Sequence, residues 1–396
     1  MDAYIVSAVR TAGARKGGRL AGWHPADLSA KVIDAVVARV QPGFDPALVD
    51  DVIWGCVGQA GEQAANVGRN AVLASGLPES VPATSIDRQC GSSQQAIHFA
   101  AQAVMSGQMD VVIAGGVESM TRVPMFMASS LPLKNGLGYY YSPGMKRRYP
   151  GVSDFSQFAG AEMVARKYGL DKAQLDAYAL QSHQRAATAT AQGWFDSEIL
   201  PLPVLDAEGR PGPLLHSHDE GIRSDATLDG IAGVKLLSPD GLLTAATSSQ
   251  LCDGASAVMV VNEAGLRHMG AEPLARIHHM SVLGHDPVIM LEAPIPATAR
   301  ALARAGLRLD DIDLYEVNEA FASIPLAWLQ ATGADADRLN TQGGAIALGH
   351  PLGGSGTKLM TTLLHALKRQ GKRYGLQTMC EGGGMANVTI VENLQR

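Results

Sequence analysis

Four side chains carry most of the chemistry that this 396-residue chain offers. Cys90 stands in DRQCGSSQQAI, where a strand signal gives way to a helix signal. A thiol at the first turn of a helix lies at the positive end of the dipole, beside free backbone N–H groups. Both lower its pKa and raise its thiolate fraction. Gly91, Ser92 and Ser93 leave room for a substrate to come close. His350 stands at a second such entrance, GGAIALGHPLGGSG, with Pro351 stiffening the turn. A neutral imidazole there is placed to take the proton of a thiol. In YEVNEAFAS, Asn318 and Glu319 follow a strand end, where an amide can hold a water or an oxyanion. Cys380 precedes Gly382, Gly383 and Gly384, whose N–H groups can line an anion site. Each has a plainer reading when taken alone. Cys90 is equally a small residue buried at a strand end, and His350 a structural histidine in a glycine turn. Asn318 is equally a helix cap, and Cys380 an incidental thiol in a tight hairpin.

The elements that must position these residues alternate between strand and helix. AYIVSAV is a short apolar strand, and DLSAKVIDAVVARV places Leu28, Val32, Ala35, Val36 and Val40 on one helical stripe. DDVIWGCV, VPATSID and DVVIAGG read as further strands, with a helix at QAANVGRNAVLASG and another after Cys90. The pattern predicts a mostly parallel sheet covered by helices on both faces. It then repeats. Cys90 follows Asp51 by 39 residues, and His350 follows Asp311 by the same 39 (90 − 51 and 350 − 311). Each opens a small-residue stretch leading into a helix, and each helix leads to a strand closing in glycines. We read this as a duplicated α/β unit whose halves face each other and bring Cys90 and His350 together. Between the halves the segment from TRVPMFMASS to VSDF is irregular. Helical stretches follow at GAEMVARKYG and KAQLDAYALQSHQRAATATAQG, then loop and edge strand through HSHDEGIRSD. Such an insertion carries a substrate site or an oligomer contact.

Composition bounds the function. The chain is 46% hydrophobic and 18% charged, with a net charge of −6, so no global basic field attracts nucleic acid. No apolar run is long enough to span a membrane, and MDAYIVSAVRTAG reads as a strand rather than a signal peptide. Cys56, Cys90, Cys252 and Cys380 are scattered, which suits thiols in the reducing cytosol rather than a disulfide framework or a zinc site. His216 and His218 lack further close ligands, so no metal is expected.

Taken together, DRQCGSSQQAI, NEAFAS, GGAIALGHPLGGSG and CEGGG resemble, in order and spacing, the marks of the thiolase family along nearly the whole chain. The resemblance implies a five-layered αβαβα fold of two similar halves with an inserted loop domain. Residues 1–118 and 251–270 would form the N-terminal half, 119–250 the loop domain and 271–396 the C-terminal half. It implies a homo-oligomer, dimer or tetramer, acting on acyl-CoA with coenzyme A as co-substrate and no permanently bound cofactor. Cys90 would be the acylated nucleophile, His350 its activator, and Cys380 the second acid/base. Asn318 would hold the water of one oxyanion hole, and the N–H groups of Cys90 and Gly382 would form the other. Arg223 matches an adenine-side contact and Ser249 a pantetheine contact. Lys146, Arg147 and Arg148 are a candidate 3′-phosphate patch or simply a solvated face. RQCGSSQQ, SDFSQFAGAE and AATSSQ depart from the short-chain biosynthetic pattern, which leans the reading toward degradative members, including those acting on bulky steroid-derived esters. The alternatives are an acetoacetyl-CoA thiolase and a non-catalytic acyl-CoA carrier. Strand alternation is expected to turn the Glu381 carboxylate away from the site.

Overall fold

The computed structural model describes residues 1–40, 43–206 and 208–395. Five strands of the N-terminal half lie in the order Ala83–Ile86, Asp51–Gly55, Val111–Ser119, Cys252–Val261, Tyr4–Thr11. The C-terminal half repeats that order with Leu314–Val317, Tyr374–Glu381, Met385–Asn393 and Ala275–Gly284, and Leu339 bridges Tyr315 where a fifth strand would lie. The halves join through a short antiparallel pairing, Tyr4 with Arg276 and Ile5 with Ala275. The sheet is mixed rather than mostly parallel. Strand 51–55 runs parallel to 83–86 and 111–119, but 252–261 lies antiparallel to both 111–119 and 4–11. Strand 252–261 enters from the insertion, so no helical crossover forces it into parallel register.

Side-chain alternation sorts the core into layers. Val6, Val9, Val52 and Trp54 pack outward on the helices Pro25–Ala38 and Val67–Ala74. Ile5, Ala8 and Ile53 point inward, onto the helices Ser92–Met105 and Ser355–Gln370. The far face of the C-terminal strands, with Leu376, Val388 and Ile390, packs on Ala297, Ala301, Ala327 and Trp328 of the helices Pro294–Ala305 and Ser323–Thr332. Helix, strand, helix, strand, helix is therefore the stacking order. The two middle helices are the ones that begin just after Cys90 and His350. Apolar side chains on both faces of each helix are what a central layer requires.

The insertion packs its long helices on the C-terminal half and pairs Ile199–Leu200 with strand 4–11 of the other. Its helices Gln157–Lys167 and Lys172–Ala191 fall where the periodicity placed them, the second started by a capping box between Asp171 and Gln174. The segment that gave no period contains two short helices, Met127–Lys134 and Pro143–Arg148, each too brief to show one. No helix among the described residues is long and apolar enough to cross a membrane.

Candidate active site

Cys90 lies on the tight link between strand 83–86 and helix 92–105, buried with Leu352, Leu359 and Met379 around it. The preceding residue, Gln89, has φ +50°, a left-handed conformation braced by hydrogen bonds from its backbone N–H and side-chain amide to Asp87. The expected depression of the thiol pKa does not occur. Burial pushes Cys90 up to about 12, with the carboxyls of Glu381, Asp87 and Glu118 adding to the rise and its own backbone N–H opposing it. The helix starts at Ser92 with Gly91 as its cap, so Cys90 precedes the first turn, and desolvation outweighs the dipole.

His350 follows Gly349 (φ +79°, ψ 161°), a conformation open essentially to glycine alone. Its tautomer follows from its partners. Ser355 Oγ donates to the Pro351 carbonyl at 2.9 Å, so His350 Nδ1–H donates to Ser355 Oγ at 2.5 Å. Nε2 is left with its lone pair, toward which the Asn318 amide donates over a long 3.4 Å. Burial, with the cation of Lys358, holds the imidazole pKa down at about 3. His350 is thus a buried neutral ring whose unprotonated nitrogen has only the long contact from Asn318.

Asn318 is buried beyond the end of strand 314–317 and caps no helix, since the next begins at Ser323; its Oδ1 meets no donor among the described residues. The neighbouring Glu319 is a fastener. It accepts from Tyr178 and Ser182 of the inserted helix, from Asn340 and from the backbone N–H of Ile346, and so fixes the approach to His350. Glu118 acts likewise in the other half, accepting from the N–H groups of Val57, Gly58 and Gly353. Composition gave no sign of either role, because the partners lie far away in sequence.

Cys380, one residue before the end of its strand, is fully buried; burial raises its pKa well above the ordinary value, and the nearby charges of Cys90 and Glu381 add to the rise. Gly382 lies against the Cys90 turn, where a Cβ would come within 2.8 Å of Gln89 Oε1. Glu381 corrects the expectation that its carboxylate turns away from the site: alternation turns it from Cys380, but onto the turn that carries Cys90. A Cβ on Gly91 would lie 2.1 Å from Glu381 Oε1, and the side chain is fully buried against the residue after Cys90.

One cavity of about 810 Å³ joins these parts. Cys90 and His350 both line it, with Arg223 and Ser249 farther along and Arg15 and Lys16 among its walls. Met120, Met125, Phe158 and Phe321 give it an apolar side, the two phenyl rings meeting edge to face at 5.7 Å. Lys146, Arg147 and Arg148 are exposed on their own short helix and do not line it. Asn318, Cys380 and Gly382 are not among the residues that line it. His216 is spent on the Ala12 carbonyl, and no cluster of three metal-ligating side chains occurs among the described residues. Ser355 and Lys358 went unrecognised in the sequence; their signal is their position five and eight residues beyond His350, on the turn and helix that follow it.

The family model described as thiolase, N-terminal domain matches residues 3–264, and thiolase, C-terminal domain matches 271–393. A steroid 3-ketoacyl-CoA thiolase of Mycobacterium tuberculosis is 49% identical over 99% of this chain and 94% of that protein. A 3-ketoacyl-CoA thiolase of Aliivibrio fischeri is 42% identical over 98% of both chains. One of Yersinia pestis is 43% identical over 98% of this chain and 99% of its own.

Proposed function

The chain belongs to the thiolase family, and from that premise we propose how its residues share the work of CoA-dependent cleavage of 3-ketoacyl-CoA to acetyl-CoA and a shortened acyl-CoA. The observation that carries the reading is that Cys90 and His350, from equivalent turns of the two halves, line one cavity, with the His350 ring neutral and its unprotonated nitrogen held only by the long contact from Asn318. His350 Nε2 takes the Cys90 proton as sulfur attacks the 3-keto carbon. The oxyanion formed at C3 is met by the backbone N–H groups of Cys90 and Gly382. The bond between C2 and C3 then breaks, acetyl-CoA leaves as its enolate, and Cys380 protonates the α-carbon. Coenzyme A loses its thiol proton to Cys380 and collects the acyl group from Cys90. The thioester oxygen of the acetyl-CoA enolate is met by His350 and a water held at Asn318; a single such donor is worth about 10²–10³ in rate. Coenzyme A is co-substrate throughout.

A thiol resting high and an imidazole resting low keep both groups uncharged until substrate excludes water. Arg223 and Ser249 are proposed contacts of coenzyme A, and Arg15 and Lys16, beside the same cavity, suit its phosphates. The edge-to-face pair of Phe158 and Phe321 and the two methionines favour long or ring-bearing acyl chains over acetoacetyl. The exposed apolar side chains Phe126, Leu131, Leu133 and Leu137 support a homo-oligomer, and four free thiols support a reducing, cytoplasmic setting.

The test is kcat/KM for cleavage of acetoacetyl-CoA, a medium straight-chain 3-ketoacyl-CoA and a ring-bearing one. The expected order places acetoacetyl-CoA last by at least about tenfold, the worth of a methylene or two in an apolar pocket. Preference for acetoacetyl-CoA would overturn the assignment of the apolar wall.

A further inference from the structure

Glu381 is a buried carboxyl that the cleavage steps do not use. Its side chain is fully enclosed, and no donor among the described residues reaches either oxygen. That is unlike the other enclosed carboxyls close to the site. Glu118 collects three backbone N–H groups and the Gln63 amide, and Glu319 collects two hydroxyls, an amide and a backbone N–H. A carboxylate without donors in such a place is not held ionised; it takes up a proton instead. The groups that face it are few. Asp87 and Arg88 precede the cysteine turn, Cys90 follows them, Cys380 adjoins it on its own strand, and Asn387 lies on the neighbouring strand with its amide donating to the Gly91 carbonyl. Arg88 is the one cation among them. It makes no ion pair within 4 Å of the carboxyl, and its guanidinium reaches the Met385 sulfur instead. Oε1 abuts Gly91 so closely that no side chain could stand there. Glycine at 91 thus serves Glu381 as well as the approach of substrate.

We propose that Glu381 is a positioning residue for the nucleophile: a neutral acid packed on Gly91, it fills the space behind Cys90 without setting a negative charge against the thiolate. The inference rests on Cys90 being the nucleophile. Loss of the Glu381 proton places two like charges in one desolvated turn, so Cys90 ionisation is resisted once that proton has gone. Burial, with Asp87 adding to it and Arg88 opposing it, puts the carboxyl near pH 8, so the effect falls on the alkaline side.

The experiment is the rate of Cys90 alkylation by iodoacetamide from pH 6 to 10.5, followed by peptide mass, in the wild type and in Glu381→Gln. The two profiles should coincide at pH 6.5 and separate above pH 8. Glu381→Gln should be about tenfold faster by pH 9.5, the factor that one pKa unit of like-charge repulsion gives. Superimposable profiles, or a slower Glu381→Gln at every pH, would overturn the proposal. Glutamine reproduces the neutral acid in shape, so a Glu381→Gln chain that fails to fold while Glu381→Met folds would also count against it. Acetylation of Cys90 by acetyl-CoA, measured on the same samples, separates the two claims. Absence of acetylation in the wild type would sink the thiolase role of Cys90, whereas unchanged alkylation with intact acetylation would sink only the role of Glu381.

Discussion

Cys90 and His350 each follow a left-handed backbone position and each precede a central helix, yet the two turns stand in opposite electrostatic settings. Around Cys90 are carboxyls: Glu381, Asp87 and Glu118. Beside His350 is a cation, Lys358. Burial is the larger cause of both shifts and the charges add to it, acids pushing the thiol up and a cation pushing the imidazole down. In the proposed mechanism the pair rests as thiol and imidazole until substrate arrives.

The backbones differ as well, and that difference can be broken first. Gly349 has no room for a side chain: a Cβ would lie 2.6 Å from Cys252 Sγ, in a conformation that L-residues avoid. Gly349→Ala should cost about 2–5 kcal/mol in thermal denaturation, combining strain with overpacking. Gln89→Ala, at the equivalent position, keeps a φ of +50° that the chain already tolerates and should cost about 1 kcal/mol, a lost hydrogen bond or two. Equal costs at the two positions would mean that the turns are not distinguished by crowding.

A smaller effect tests the charge contrast. The Lys358 ammonium donates to the carbonyls of Leu348 and Gly349, just before His350, and lies 3.5 Å from Asp219. Removing the cation in Lys358→Met makes protonation of His350 easier. A base is lost when protonated, so the acid limb of kcat should move to higher pH. About one unit, or tenfold at a fixed pH on that limb, is the expected size. Lys358→Arg should restore the limb. A pure loss of stability with the limb unmoved would remove Lys358 from the account of His350.

Much of this was legible in the sequence. The equal 39-residue spacing placed Cys90 and His350 at matching turns, and hydrophobic periodicity gave the two central helices. Those signals are local. What the sequence did not show depends on contacts between distant segments. The thiol of Cys90 was expected to be depressed because a helix follows it, but its burial is set by Leu352, Leu359 and Met379. Alternation along strand 374–381 did predict that Glu381 turns from Cys380. That its far face meets Gly91, in the other half of the chain, comes only from stacking the halves. The mixed sheet escaped for the same reason, since strand 252–261 returns through an insertion whose path no period reveals.

The central claim is that Cys90 alone carries the acyl group. It is tested most directly by mixing the protein with a straight-chain 3-ketoacyl-CoA in the absence of free coenzyme A and mapping the adduct by mass. The account predicts the shortened acyl group on the Cys90 peptide, one acetyl-CoA released per chain, and neither in Cys90→Ala. An acyl group on Cys380, or acetyl-CoA released by Cys90→Ala, would contradict it.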